Sequence, residues 1–186
     1  LEVASKSLED QMKNLLEWSL HQISERKLSP EVFDLKEMAE TLKNFFQLSL
    51  EVKRQNMYLE IEGPIPLETD REYVQTILRN LISNAIKFTP PEGTIWFRAK
   101  TAGAEIVIEI EDTGIGIASE DFSKLFTLEA DKKSIGNSPE KGTGLGLVLV
   151  KEMIEKMGGT ISLASELNKG TTFTLKMTGK QQKQAA

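Results

Sequence analysis

At 186 residues the chain can bury one good core with at most a small appendage. Charged residues at 27% beside 39% hydrophobic residues exclude a disordered polymer, and a net charge of −5 with no basic block argues against a nucleic-acid partner. The chain has no cysteine and one histidine, which removes disulfides, thiolate metal sites and histidine-rich metal sites. No apolar run is long enough for a membrane segment, so the composition suits a cytoplasmic domain.

Residues from about 1 to 26 read as a long helix, with Leu8, Met12, Leu15, Leu16 and Ile23 as an apolar stripe. Ser29-Pro30 breaks it and marks the expected boundary. Asp34 followed by Glu37 predicts a cap for a second helix, continued by Leu35, Met38, Leu42, Phe45, Phe46 and Leu50. A short strand is expected over 57–61, closed by Gly63-Pro64. Thr69 and Glu72 read as a capping box opening a helix over about 70–88, whose core stripe is Val74, Ile77, Leu78, Leu81, Ile82 and Ala85. Alternating runs at 94–100 and 105–111, joined through Gly103, predict a hairpin. The carboxy-terminal part predicts a helix from Leu145 stopped at Gly158-Gly159, then strands near 160–165 and 171–177. The predicted class is α+β: a two-layer α/β sandwich, helices on one face of a mixed sheet, behind a long N-terminal helix. The expected division is 1–28, 29–179, and a disordered tail at 180–186.

Three segments carry chemistry. Lys141-Gly-Thr-Gly-Leu-Gly-Leu147 packs three glycines into five residues and leads into a helix. Bare backbone and the unpaired N–H groups of a helix start suit a phosphate, although glycine-rich loops also serve as plain turns. Asn80, Asn84 and Lys87 share one side of their helix. Two amides and an ammonium suit a metal–triphosphate, with an amide oxygen as a hard ligand for Mg²⁺; an ordinary solvated helix face fits the spacing equally well. Asp112 ends an alternating strand before Gly114 and Gly116. Its carboxylate can accept from the exocyclic amine of adenine and would repel the carbonyl of guanine, while Asp-Thr-Gly is also common turn chemistry.

The ordered set Asn80-Leu-Ile-Ser-Asn-Ala-Ile-Lys-Phe-Thr-Pro90, Asp112-Thr-Gly-Ile-Gly116, Leu125-Phe126 and Gly142-Thr-Gly-Leu-Gly146 resembles the asparagine, first glycine, phenylalanine and second glycine boxes of sensor histidine kinases. These kinases share their fold with the ATPases of gyrase and the heat-shock chaperones. The resemblance implies an ATP-binding catalytic fragment that passes the γ-phosphoryl group to a histidine, for relay to the receiver domain of a response regulator. It implies ATP and Mg²⁺ as cofactors, Asn84 as the Mg²⁺ ligand, Asn80 supporting the metal or its waters, and Lys87 on phosphate. It further assigns Phe88, Asp112, Gly114, Gly116, Ile117, Phe126, Lys141, Gly142, Thr143, Gly144, Leu145, Gly146 and Leu147 to nucleotide binding, with Thr171 beside the adenine aspartate. The stretch 129–141 resembles the nucleotide lid, whose Lys132 and Lys133 would reach the terminal phosphate or simply be solvated. Leu128 stands where the family often repeats phenylalanine.

In the hydrolytic relatives a glutamate activates water at the position of Asn80, and a neutral amide is no general base. The resemblance thus favours a kinase over the alternative, an ATP-hydrolysing or nucleotide-gated interaction module. The family's phosphoacceptor motif is missing, and His21 is followed by Gln22-Ile-Ser rather than an acid. Leu15-Leu-Glu-Trp-Ser19 instead resembles the second helix of the dimerisation hairpin. The implied partners are a homodimer in the full-length protein and a phosphoacceptor helix absent from this chain.

Overall fold

The computed structural model describes residues 25–127 and 145–178. Residues 1–24 of the expected first helix, the lid stretch and the tail at 180–186 lie outside the described residues. In chain order come β1 (Pro30–Asp34), α1 (Leu35–Val52), β2 (Asn56–Ile61), β3 (Pro66–Asp70), α2 (Arg71–Phe88), β4 (Thr94–Ala102) and β5 (Glu105–Asp112). A single 3-10 turn (Ser119–Asp121) precedes α3 (Leu145–Lys156), β6 (Thr160–Glu166) and β7 (Gly170–Thr178).

The main sheet has five strands in the order β2-β4-β5-β7-β6. Only β2 and β4 run parallel; the other neighbours are antiparallel, which makes the sheet mixed as expected. Period-2 alternation turns Ile95, Phe97 and Ala99, Ile106, Ile108 and Ile110, and Phe173, Leu175 and Met177 to one face, where all are buried. The helices cover that face: Leu35, Met38 and Leu42 of α1 and Ile77, Leu78, Leu81 and Ile82 of α2 lie in the same core, with Val150 and Ile154 of α3. Each such side chain contributes about 1.5–3 kcal/mol of burial energy. The opposite face carries Arg98 bonded to Glu60 and Glu111, and Tyr58 stacked on Trp96. No helix among the described residues is long and apolar enough to cross a membrane.

Two features depart from the sequence-based expectation. Residues 30–34 and 66–70 form a separate two-stranded sheet, unforeseen because each strand is short, starts at proline and pairs only with the other. Its inward pair, Phe33 and Leu67, closes the end of the core. The cap of α2 is also not Thr69. Thr69 belongs to β3, and the buried carboxylate of Asp70 accepts the N–H of Tyr73 at 3.1 Å. Asp70 prevails because its second oxygen is used too, by the Ser29 N–H at 3.1 Å and the Arg26 guanidinium at 3.3 Å. The Asp34 cap of α1 is as expected, accepting from the Lys36 N–H at 2.9 Å.

Both α1 and α3 end in paired backbone bonds that reverse the chain. In α3, Gly158 (φ +75°) donates to Glu155 O and Gly159 to Ile154 O, which is why the double glycine stops this helix. In α1 the left-handed position is taken by Arg54 (φ +52°), with Arg54 bonded to Glu51 O and Gln55 to Leu50 O. That turn brings Lys53 and Gln55 beneath the carboxy end of α2.

Candidate functional site

The site is built around the second half of α2. Asn80, Asn84, Lys87 and Phe88 are half-buried, so this side of the helix is partly covered by the rest of the fold. Asn80 Nδ2 donates to Thr76 O, 2.8 Å away and one turn back. A Cβ on Gly146 would lie 2.7 Å from Asn80 Oδ1, so a side chain here would push the Asn80 amide out of its place between α2 and the first turn of α3. The Asn84 amide has no hydrogen-bond partner among the described residues. Lys87 faces no carboxylate among them either; its Nζ lies 5.2 Å from the centre of the Phe88 ring.

The end of α2 is tied down by groups outside the recognised motifs. Lys53 Nζ donates to Ile86 O at 3.1 Å and Lys87 O at 2.9 Å, and Gln55 Nε2 to Ile86 O at 3.0 Å and Thr89 O at 2.6 Å. These satisfy carbonyls that a helix end leaves unpaired, and the ammonium lies at the negative end of the helix dipole. Nothing local in the sequence signals this, because Lys53 and Gln55 reach α2 only through the Arg54 turn.

The end of β5 supplies the second wall. Asp112 is buried and receives the N–H of Gly114 at 2.8 Å. Burial, with the nearby Glu111 charge adding to it, pushes its carboxyl up from 3.8 to about 6, against the downward pull of the Gly114 and Thr171 N–H groups. An isolated acid of this kind destabilises a fold, and such groups collect at functional sites. Gly114 is required by space, since a Cβ would sit 2.5 Å from Asp112 Oδ1 and 2.7 Å from Phe88 O. Ile115 donates to Phe88 O at 3.2 Å, which joins this loop directly to the end of α2. Gly116 (φ +67°) leaves no room for a Cβ against Glu166 O.

Thr171 is the cross-strand partner of Asp112, and its hydroxyl lies 2.9 Å from Ser165 Oγ. Ser165 also accepts the Ile117 N–H at 2.8 Å. Leu125 is buried, while Phe126 and Ile117 are half-buried and packed on the core. Leu147 is buried in the first turns of α3. The structure thus brings α2, the Asp112 loop and the start of α3 together. Lys132, Lys133, Lys141, Gly142, Thr143, Gly144, Leu128 and His21 lie outside the described residues, as does the side chain of Leu145. Sequence reasoning missed Lys53, Gln55 and Ser165, whose roles depend on which strand or helix ends meet.

The donor set fits a nucleoside triphosphate with a divalent cation. A buried carboxylate that only accepts suits an amine-bearing base, and a half-buried amide without a hydrogen-bond partner and an ammonium without a carboxylate, among the described residues, suit a metal and phosphate. The chain is 39% identical over 138 residues to the aerobic respiration control sensor protein ArcB of Escherichia coli (strain K12), an alignment covering 72% of this chain and 18% of that protein. It spans between 18% and 31% of the length of such curated relatives. Among solved structures, the histidine kinase AdeS of Acinetobacter baumannii superposes with a TM-score of 0.73 at 27% identity, over 97% of this chain and 86% of that one. The histidine kinase ThkA in its complex with the response regulator protein TrrA gives 0.73 at 24% identity, over 96% of this chain and 49% of that one. The sequence pattern of the histidine kinase-, DNA gyrase B-, and HSP90-like ATPases matches residues 69–181, more than half of the chain. With the asparagine helix, the buried Asp112 and the glycine-hinged approach of α3 all falling inside that span, the chain belongs to the histidine kinase-, DNA gyrase B-, and HSP90-like ATPase family.

Proposed function

We propose that this chain is the ATP-binding catalytic part of a sensor histidine kinase. It passes the γ-phosphoryl group of ATP to a histidine on a dimerisation helix outside the chain, from which a response regulator aspartate receives it. Residues 1–28 would belong to the dimerisation hairpin and 29–179 to the catalytic domain. The observation that carries the reading is Asp112, an acid buried with no cation paired to it among the described residues, where its free acceptor capacity suits the amine of adenine.

Lys87 neutralises phosphate charge, and Asn84 offers its amide oxygen to the cation. Mg²⁺, when bound, would supply charge neutralisation across the phosphate oxygens. Asn80 holds its amide toward the same side while Gly146 packs against it, so the start of α3 is available to the phosphates. Asn80 cannot take a proton from water near neutral pH, so the bound nucleotide survives until a side-chain nucleophile arrives. Catalysis by this domain consists of positioning and charge neutralisation. ThkA, as a complex with TrrA, supports a receiver domain as partner. A homodimer in the full-length protein belongs to the same reading, on the resemblance of Leu15-Leu-Glu-Trp-Ser19 to the second helix of a dimerisation hairpin.

Titration with a fluorescent ATP analogue tests the reading. Asp112→Asn should weaken binding on the order of a hundredfold, the loss of a hydrogen bond to a charged acceptor. Chelation of Mg²⁺ should weaken it further in the wild type. Phosphate release should stay near background while label passes to a separately supplied acceptor helix. Brisk hydrolysis without transfer would instead assign the chain to the hydrolytic branch. Binding with neither activity would leave a nucleotide-gated module.

A further inference from the structure

Asp112, Thr171 and Ser165 form one row across three strands. Asp112 pairs with Thr171 between β5 and β7, and Thr171 with Ser165 between β7 and β6. Paired residues point to the same face, so the three side chains stand side by side at the end of the sheet.

Proton counting gives the row a direction. Ser165 Oγ lies 2.8 Å from Gly170 O and 2.9 Å from Thr171 Oγ1, and accepts the Ile117 N–H at 2.8 Å. A carbonyl only accepts, so the one hydroxyl proton of Ser165 must point at Gly170 O. Thr171 then has to donate in its contact with Ser165; otherwise two oxygens would face each other without a proton. Thr171 Oγ1 is left with lone pairs only. Beside it, the Asp112 carboxylate already accepts from Gly114. The free edge of the row therefore accepts hydrogen bonds and donates none.

Resting on the reading of Asp112 as the base-recognising acid, we infer that Ser165 is a specificity-determining positioning residue. By drawing the Thr171 proton inward it keeps this edge acceptor-only, which selects a purine bearing a 6-amino group over one bearing a 6-oxo group. In its absence Thr171 is free to rotate and donate outward, and a 6-oxo group becomes acceptable.

Calorimetric titration of the whole 186-residue chain with ATP and with inosine triphosphate, which differ at position 6, provides the test. The wild type should prefer ATP. Ser165→Ala should reduce the ratio of the two affinities on the order of tenfold, and Ser165→Thr, which keeps the hydroxyl, should restore it. A loss of both affinities with an unchanged ratio would mean a purely structural role and overturn the inference, as would Ser165→Thr behaving like Ser165→Ala. Should Ser165→Ala not fold, Thr171→Val removes the outward lone pairs and must lower the same ratio; an unchanged ratio there also overturns it. A wild type without preference, or one whose preference Asp112→Asn leaves intact, would instead remove the underlying reading of Asp112.

Discussion

The base end and the phosphate end of the site are built on opposite plans. At the base end, Asp112, Thr171 and Ser165 belong to adjacent strands; backbone N–H groups hold Asp112 and Ser165, and Ser165 holds the Thr171 hydroxyl. At the phosphate end, Asn84 and Lys87 project from a helix; among the described residues the Asn84 amide has no hydrogen-bond partner, and Lys87 faces no carboxylate, only the Phe88 ring. The first arrangement is complete before any ligand arrives and therefore selects; the second is completed by the charges of the ligand. The difference teaches where substitutions harm the fold and where they harm only binding.

The largest effect should come from Gly170, at φ +122° with a Cβ position 1.8 Å from Asp112 O. Gly170→Ala combines backbone strain with a collision against a sheet neighbour. It should lower stability by about 4 kcal/mol, read as the urea unfolding midpoint. Asn84→Ala is the counterpart. It should leave that midpoint within about 0.5 kcal/mol of wild type. Yet it should weaken Mg²⁺-dependent ATP binding by about tenfold or more, so a large stability loss instead would erase the contrast between the two ends.

Titration of Asp112 sharpens the comparison further. The exocyclic amine needs the ionised carboxylate, so ATP affinity should fall as pH drops through about 6. At pH 5 it should be about tenfold weaker than at pH 7. Dividing by the same measurement on Asp112→Asn cancels the titration of the nucleotide phosphates. Stability of the ligand-free protein should move the other way. The raised native value means that the Asp112 contribution is fully present below about 3.8 and is lost as pH rises through about 6. Opposite slopes for binding and stability are the signature; parallel slopes would contradict the assignment.

The smallest effect concerns the anchoring of α2. Lys53→Met removes the ammonium from Ile86 O and Lys87 O. It should cost about 1 kcal/mol in thermal unfolding and only slightly reduce ATP affinity, because Gln55 still holds the same helix end.

Much of this architecture was legible along the chain. The core stripe of α2, the hairpin of β4 and β5, the double-glycine stop of α3 and the Asp34 cap all follow from periodicities and local backbone rules. The β1–β3 pair was not legible, because two short strands define each other only once the chain between them has folded. Nor was the cap of α2: Thr69 and Asp70 both have capping chemistry, and the choice fell to Asp70 through Ser29 and Arg26, more than forty positions away in the chain.

By itself the sequence determined which residues are candidates for the chemistry, since amides, ammonium, carboxylate and glycines announce themselves by type and spacing within single elements. Only the tertiary structure decided what those residues face. Helix α3 meets Asn80 through Gly146, and Asp112 is left without a counter-charge among the described residues. Ser165 and Thr171 meet across two strands with their hydroxyls 2.9 Å apart. Each of these depends on elements distant in the chain coming within hydrogen-bonding or van der Waals reach. Local propensity acts over a few residues and carries no information about such encounters.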